Sequence, residues 1–108
     1  MKYEIYYVDK KNRIECMLIF SLMKKIDWCE DGLKIVTWKY TKIAEGDADN
    51  LNQIFKKHSI LNIDHRKKKQ TRSINIGDII FFDEEPWIIS SFGFRKIPDI
   101  LWKKIYKK

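Results

Sequence analysis

The pattern of apolar and polar residues predicts short strands and short helices. Tyr3 to Val8 is rich in aromatic and β-branched residues, and predicts a strand that ends in the polar turn 9–12. Arg13 to Ile26 fits neither the helical nor the strand period, and we interpret it as a short strand followed by a helix over Ile19 to Ile26. Leu33 to Ile43 alternates well enough to predict one long strand.

The middle of the chain predicts a short amphipathic helix followed by a loop. The apolar positions of this helix recur at offsets of three, four and seven, which places them on one face: Leu51, Ile54, Phe55 and His58. Asp47 or Asp49 is suited to cap its first turn. Residues 62–72 are polar, strongly basic and aperiodic, so they predict an exposed loop.

The last third of the chain predicts a hairpin and a closing helix. Ile74 to Phe82 returns to a strand pattern, with a turn or bulge at Gly77. The acidic tip 83–86 leads into a second strand that we expect to continue past Ser90 through residues 92–94. Pro98 can open a helix, whose apolar face holds Leu101, Trp102, Ile105 and Tyr106.

Together these elements predict an α+β fold, with a small, mostly antiparallel sheet and two or three short helices. The chain has 108 residues, of which 44% are hydrophobic, so residues 1–108 fit one domain with a modest core. The strand Tyr3 to Val8 is a candidate for the border of the sheet, but the sequence does not fix its position or the oligomeric state.

Charge is the most informative feature for function. The formal net charge is +7, which favours an anionic partner. The basic residues form two clusters that we identify as candidate binding residues: Arg66, Lys67, Lys68, Lys69 and Arg72 in the first, and Arg95, Lys96, Lys103, Lys104, Lys107 and Lys108 in the second. Phosphates would bind such clusters with salt-dependent affinity, whereas the alternative is a merely solvated surface.

Aromatic residues are interleaved with the second cluster. Trp87, Phe92 and Phe94 are candidates for stacking on nucleic-acid bases. The match to an RNA-recognition signature is poor, because Ser90 and Ser91 stand where a basic residue and a glycine are expected. Packing in the core is the alternative role of these rings.

The sequence offers no recognisable catalytic or metal-binding arrangement. Cys16 and Cys29, and likewise His58 and His65, lack the tight spacing of structural zinc ligands. No nucleophile elbow surrounds the serines, and no glycine-rich phosphate loop is present. We therefore expect neither an enzyme nor a cofactor. A small hydrolase or nuclease that uses His58, His65 or Asp78 stays as the alternative.

The residues also favour one cellular location. Two cysteines cannot form a disulfide scaffold, the first eleven residues lack the apolar stretch of a signal peptide, and no apolar run reaches the roughly 18 residues that span a bilayer. We therefore expect a bacterial cytoplasmic protein without a membrane partner.

Several short motifs resemble the YodL-like proteins of Firmicutes and their mobile elements. The run Leu51–Lys57 is similar to the helix of that family, which ends near a Phe. Two strand signatures follow it: Ser73, Ile74, Ile76, Asp78, Ile79 and Ile80 match the first, and Ser91, Gly93 and Phe94 match the second. The similarity covers most of residues 3–97, although Lys56 and Ser90 replace an Asn and an Asp of the family pattern.

This resemblance implies a phage or mobile-element origin and transfers no catalytic residue. The leading hypothesis is a non-enzymatic protein that engages a nucleoprotein complex or an acidic protein surface through its basic residues. Such a protein could inhibit a host defence nuclease, in the manner of an anti-CRISPR protein. The alternative is a direct DNA- or RNA-binding protein with little sequence preference.

Overall fold

The computed structural model describes residues 1–22, 28–29, 31–58, 62–64, 69–71, 74–90 and 93–106. The strands are β1 (Lys2–Val8), β2 (Tyr40–Asp47), β3 (Asn62–Asp64), β4 (Lys69–Thr71), β5 (Ile79–Phe82), β6 (Glu85–Ser90) and β7 (Gly93–Lys96). The helices are a 3₁₀ turn (Lys10–Asn12), α1 (Arg13–Leu22), α2 (Asp31–Ile35), α3 (Leu51–His58) and α4 (Asp99–Tyr106). The predicted α+β class is confirmed, with more helices than expected.

Five of the strands form one antiparallel sheet in the order β2-β1-β5-β6-β7, and β3 pairs with β4 as a separate hairpin. Strand β1 therefore lies inside the sheet, and its suggested place at the border is wrong. Side chains on both faces of β1 are buried, among them Tyr3, Ile5, Tyr6 and Val8. Both faces of β1 are therefore covered by core side chains. Its two edges are hydrogen-bonded to β2 and β5.

The sheet has a hydrophobic core on each face. The α3-side core consists of Tyr3, Ile5, Ile54, Ile74, Ile80, Phe82 and Ile89. The α4-side core consists of Tyr6, Val8, Cys16, Ile35, Trp38, Ile79, Ile88, Ile97, Leu101 and Ile105. Because successive residues of a strand point to opposite faces, the same strands supply both cores.

Helix α1 replaces the strand and helix expected over Arg13 to Ile26. It begins at Arg13 and buries Cys16, while Ile14 and Leu18 are 75% and 63% exposed. Ile14 and Leu18 therefore lie on a different face from Cys16, which explains why the helical period was not apparent in the sequence. Residues 23–27 lie outside the described part.

The long strand expected over Leu33 to Ile43 is also wrong in its first half. Helix α2 ends at Ile35, and turns carry the chain through Trp38 before β2 begins at Tyr40. Ile35 and Trp38 are buried at 0% and 1% exposure. They are three residues apart, a helical spacing that places both in the same core, and the amide of Trp38 donates to the carbonyl of Ile35.

The helix expected in the middle of the chain is confirmed, but its cap differs. The amide of Gln53 donates to Asn50 Oδ1 at 2.9 Å, and the amide of Asp49 donates to Gln53 Oε1 at 2.9 Å. Asn50 is therefore the N-cap of α3, in place of Asp47 or Asp49. Ile54 is fully buried, whereas Phe55 is 38% exposed at the margin of the predicted face.

Two further expectations are corrected near the C-terminus. The segment 62–72 contains β3 and β4 where we expected only loop. Strand β6 does not continue past Ser90, because Gly93 pairs with Ser90 and starts an antiparallel strand. Gly93 has a φ of 111°, which a side chain would disfavour, and the chain can therefore reverse direction here. The β5–β6 hairpin, the turn at Gly77 and helix α4 are confirmed.

Candidate basic and aromatic binding surface

The first predicted basic cluster is only partly described. Lys69 is the first residue of β4, within a hairpin of two three-residue strands. Arg66, Lys67, Lys68 and Arg72 lie outside the described residues. The expectation that this cluster binds a partner therefore stays a prediction.

The second predicted cluster is divided between the two faces of the sheet. Arg95 pairs with Ile88 of the α4-side core, and Lys96 pairs with Trp87 on the opposite face. The ammonium group of Lys96 also forms an ion pair with Glu85 at 3.2 Å. Arg95 and Lys96 thus cannot bind one partner on one face, although they are adjacent in sequence.

The lysines of α4 remain on the outer surface. Lys103 and Lys104 lie in the last turn of the helix and are exposed, while Leu101 and Ile105 face the sheet. Cations at the C-terminal end of a helix are also stabilised by the helix dipole. Lys107 and Lys108 follow in the sequence and lie outside the described residues.

Two of the three rings considered for stacking lie on the α3 side. Trp87 and Phe94 are partly buried and pack against the α3-side core. Phe94 also meets Phe55 edge-on, with ring centroids 6.0 Å apart. Phe92 lies outside the described residues. The described rings therefore pack against the core on the face opposite to Lys103 and Lys104.

A different set of aromatic residues lines a pocket on the α4 side. The pocket lies where the end of α4 meets the end of β1 and the beginning of β2. It has a volume of about 280 Å³ and is lined by Tyr6, Lys39, Tyr40, Trp102, Ile105 and Tyr106. Tyr106 is 65% exposed, so its ring stands at the rim.

Ring contacts hold Trp102 in a defined orientation. Phe81 stacks on it with centroids 5.4 Å apart and an interplanar angle of 14°. Tyr6 meets it edge-on at 5.3 Å, and Tyr106 lies at 5.8 Å with a tilt of 36°. Offset-stacked and edge-to-face pairs are the geometries that aromatic rings prefer. The back of the pocket is therefore formed before any ligand binds.

Two of the three phenols that line the pocket, those of Tyr6 and Tyr40, stay uncharged at neutral pH. Burial, followed by the charge of Glu4, raises the pKa of Tyr6 to about 12. Burial also raises the pKa of Tyr40 well above its usual value, with smaller effects of Cys16 and Asp78. The hydroxyl of Tyr40 donates to the carbonyl of Gly77 at 3.2 Å. The part of the wall that Tyr6 and Tyr40 form is thus aromatic and neutral.

Basic residues lie in and next to the pocket: Lys39 lines it, and Lys10 and Lys11 are in the neighbouring 3₁₀ turn. Backbone contacts place the 3₁₀ turn next to Lys39: the amide of Asp9 donates to the carbonyl of Lys39 at 2.7 Å, and the amide of Lys39 donates to Asn12 Oδ1 at 3.4 Å. Lys10, Lys11 and Lys39 are exposed. In the described part of the chain, no ion pair to a carboxylate involves any of these three lysines.

A second, acidic groove opens at the other end of β1. It has a volume of about 740 Å³. Its lining includes the N-terminal residues Met1 and Lys2 and five carboxylates: Glu4, Glu45, Asp47, Asp83 and Glu84. The ammonium group of Lys42 lies close enough to form ion pairs with Glu4 and Glu45, and these contacts raise its pKa.

Two residues of the hydrolase alternative, Asp78 and His58, are described, and each contacts different partners. Asp78 is fully buried, and its carboxylate accepts the amides of Val8 at 3.1 Å and Asn75 at 2.8 Å. His58 lies 3.0 Å from the hydroxyl of Tyr3, and burial lowers its pKa. His65 lies outside the described residues. Among the residues that are described, no three His, Cys, Asp or Glu side chains form a group able to hold a metal ion.

Sequence reasoning missed the pocket although it identified most of its parts. Tyr6 was placed in a strand, and Trp102, Ile105 and Tyr106 on one helix face. The available signal was the two-residue spacing of Tyr6 and Val8, which places both side chains on the α4-side face of β1. Nothing in the sequence indicated that β1 and the end of α4 meet.

No protein-family model, curated protein or solved structure significantly matches this chain. The similarity to YodL-like proteins thus stays a prediction from short motifs. None of the helices in the described residues combines the length and apolar character needed to cross a membrane. The function of the chain has to be inferred from the chemistry of its own surface.

Proposed function

We propose that this chain is a non-enzymatic binding protein that engages the nucleic acid of a nucleoprotein complex. The observation that supports this proposal is the aromatic pocket, which Lys39 lines, with Lys10 and Lys11 exposed in the adjacent 3₁₀ turn. Proteins that bind single strands combine a positively charged surface with aromatic side chains in the same way.

The lysines of α4 extend this surface. Lys103 and Lys104 are exposed on the same helix whose last residue, Tyr106, forms the rim of the pocket. Lysine ammonium groups bind phosphates and release condensed counterions, so the affinity falls as the salt concentration rises. The net charge of +7 contributes to the same attraction at long range.

The biological setting rests on the resemblance to YodL-like proteins. If the chain comes from a phage or mobile element, the bound complex could be a defence nuclease with its guide or target nucleic acid. A small basic protein would then inhibit the nuclease by occupying the path of the strand. This purpose is an inference from genomic habitat, whereas the nucleic-acid partner is inferred from the surface.

Two pairs of lysines give a matched test. Lys103 and Lys104 lie in the last turn of α4, and Lys56 and Lys57 lie in the last turn of α3, another eight-residue helix that packs on the opposite face. The variant K103Q/K104Q and the control K56Q/K57Q remove the same charge. Binding of a fluorescent single-stranded oligonucleotide is measured by anisotropy over a range of salt concentrations.

We expect the α4 variant to weaken binding and to lower the slope of log affinity against log salt by about 1.4, which corresponds to two lost phosphate contacts. The control should change the slope much less. Binding that is insensitive to salt, or an equal effect of both variants, would contradict the proposal. Retention by an acidic protein alone, without affinity for the oligonucleotide, would favour the protein-partner hypothesis instead.

A further inference from the structure

We infer that the aromatic pocket holds one unpaired nucleobase of a bound strand, with Lys39 beside the neighbouring phosphate. This inference rests on the proposed function and specifies its ligand. It assigns the recognition of bases to Tyr106 and Trp102, instead of Trp87, Phe92 and Phe94. The geometry of the pocket, the charge at its mouth and the exposure of Tyr106 each point to this ligand.

The size of the pocket suits a small planar group. Its volume of about 280 Å³ lies just below the range of about 300 to 1,000 Å³ that is typical of sites for drug-sized ligands. The walls are ring faces and edges together with the apolar side chain of Ile105. A heteroaromatic ring can stack in such a site with little sequence preference, because every base has a π-face.

The charge of the neighbouring lysines favours a nucleobase over a cation as the ligand of the pocket. Aromatic cages also bind ammonium groups, through the negative faces of their rings. Here Lys39 lines the pocket, and Lys10 and Lys11 lie beside it in the 3₁₀ turn, so an incoming cation would be repelled. A base carries its own phosphates, and these would meet the same lysines. The site is therefore complementary to an anionic ligand with an aromatic part.

The position of the rings also predicts a preference for single strands. Tyr106 is 65% exposed, whereas Trp102 is partly buried behind it between Phe81 and Tyr6. A base has to leave its stack to enter this pocket. In a duplex, that step costs a few kcal/mol of pairing and stacking energy, so a flexible single strand should bind better.

Three probes of equal length test the inference: oligothymidylate of about ten nucleotides, the corresponding abasic strand, and a duplex. All three present phosphates, but only the first offers unpaired bases. We expect the abasic strand to bind about tenfold more weakly than oligothymidylate, because stacking of one base accounts for such a factor. Binding of oligothymidylate should also change the tryptophan fluorescence.

Variants link this difference to the pocket. Y106A should reduce the difference between oligothymidylate and the abasic strand, and Y106W should preserve it. The matched control is F55A, since Phe55 is a partly exposed ring on the α3 side, at 38% exposure. K39Q should weaken the binding of both strands to a similar degree, because it removes a phosphate contact.

The outcomes separate the two proposals. Equal affinity for oligothymidylate and the abasic strand would overturn the base pocket while leaving the nucleic-acid function intact. Tighter binding of the duplex, or a difference that Y106A leaves unchanged, would also overturn it. Binding of none of the three probes would overturn the proposed function itself.

Discussion

The two ends of the paired strands β1 and β2 differ in both shape and chemistry. At one end, the groove of about 740 Å³ is lined by carboxylates such as Glu4 and Asp83. At the other end, the pocket of about 280 Å³ is lined by aromatic rings and Lys39. The groove is larger, but only the pocket combines fixed rings with charge that complements a nucleic acid.

Charge is therefore distributed unevenly along β1. Seven residues of an extended strand span about 23 Å, which is more than twice the Debye length of about 8 Å at physiological salt. Asp83 and Glu84, which lie beside the first residues of β1, therefore act only weakly on Lys10, Lys11 and Lys39. Glu4 is the exception, because it lies two residues from Tyr6 and adds to the effect of burial on the pKa of that phenol. A polyanion should approach the pocket end first, since charge asymmetry steers encounters.

The largest expected effect tests whether the aromatic end also stabilises the fold. W102A should lower the free energy of unfolding by about 3 kcal/mol, because it removes the ring that packs against Phe81 and Tyr6. Urea denaturation measures this change. D47N, in the exposed lining of the acidic groove, should change the same quantity by no more than about 0.5 kcal/mol. Similar losses in both variants would contradict the contrast between the two ends.

The second expected effect is a loss of stability at high pH. The pKa of Tyr6 is about 12 in the folded protein, against an ordinary value of 10.0. The neutral Tyr6 phenol therefore contributes fully to the stability of the fold below about pH 10. This contribution is lost as the pH rises toward 12, because only the unfolded chain releases the proton in that window. Tyr40, whose pKa is also raised, acts in the same direction.

Urea midpoints measured through this window should fall with pH, and they should fall less steeply in Y6F. The comparison with Y6F separates the effect of the Tyr6 phenol on the urea midpoint from the effect of the lysines, because lysines titrate in the same pH range. A spectrophotometric titration of tyrosinate gives the pKa directly. An unchanged slope in Y6F would show that burial in the pocket does not hold this phenol neutral.

The smallest expected effect concerns the acidic end. Asp83 and Glu84 form the β5–β6 turn with φ values of 49° and 63°, a region that disfavours residues with side chains. E84G should therefore stabilise the fold by up to about 1 kcal/mol in urea denaturation, after the entropy of glycine in the unfolded chain is included. Its affinity for oligothymidylate should stay within about twofold of the parent, because the turn is beyond the Debye length. A larger loss would show that the two ends are coupled.

The accuracy of the sequence predictions varied with how closely local pattern and packing agreed. Helices α3 and α4 were correct because their apolar spacing marks the face that buries Ile54, Leu101 and Ile105. Strand β1 and the β5–β6 hairpin were correct because they are rich in aromatic and β-branched residues. Helix α1 was missed because Ile14 and Leu18 are exposed while Cys16 is buried, so these apolar residues do not share one face. The end of helix α2 was predicted as a strand because Leu33 to Ile43 alternates well enough, although Ile35 and Trp38 are buried together at a helical spacing.

The sequence by itself determined the α+β class, most of the strands, the surplus of positive charge and the residues of each basic cluster. Only the tertiary structure decided which of these residues lie together. The sheet order places β1 between β2 and β5, and α4 returns to the end of β1, so Tyr6, Tyr40 and Trp102 meet although they are far apart in the chain. Arg95 and Lys96 are adjacent in sequence but lie on opposite faces of the sheet, because successive residues of a strand alternate. Which residues meet in space depends on the sheet face and on the strand pairing, and local sequence does not specify long-range pairing.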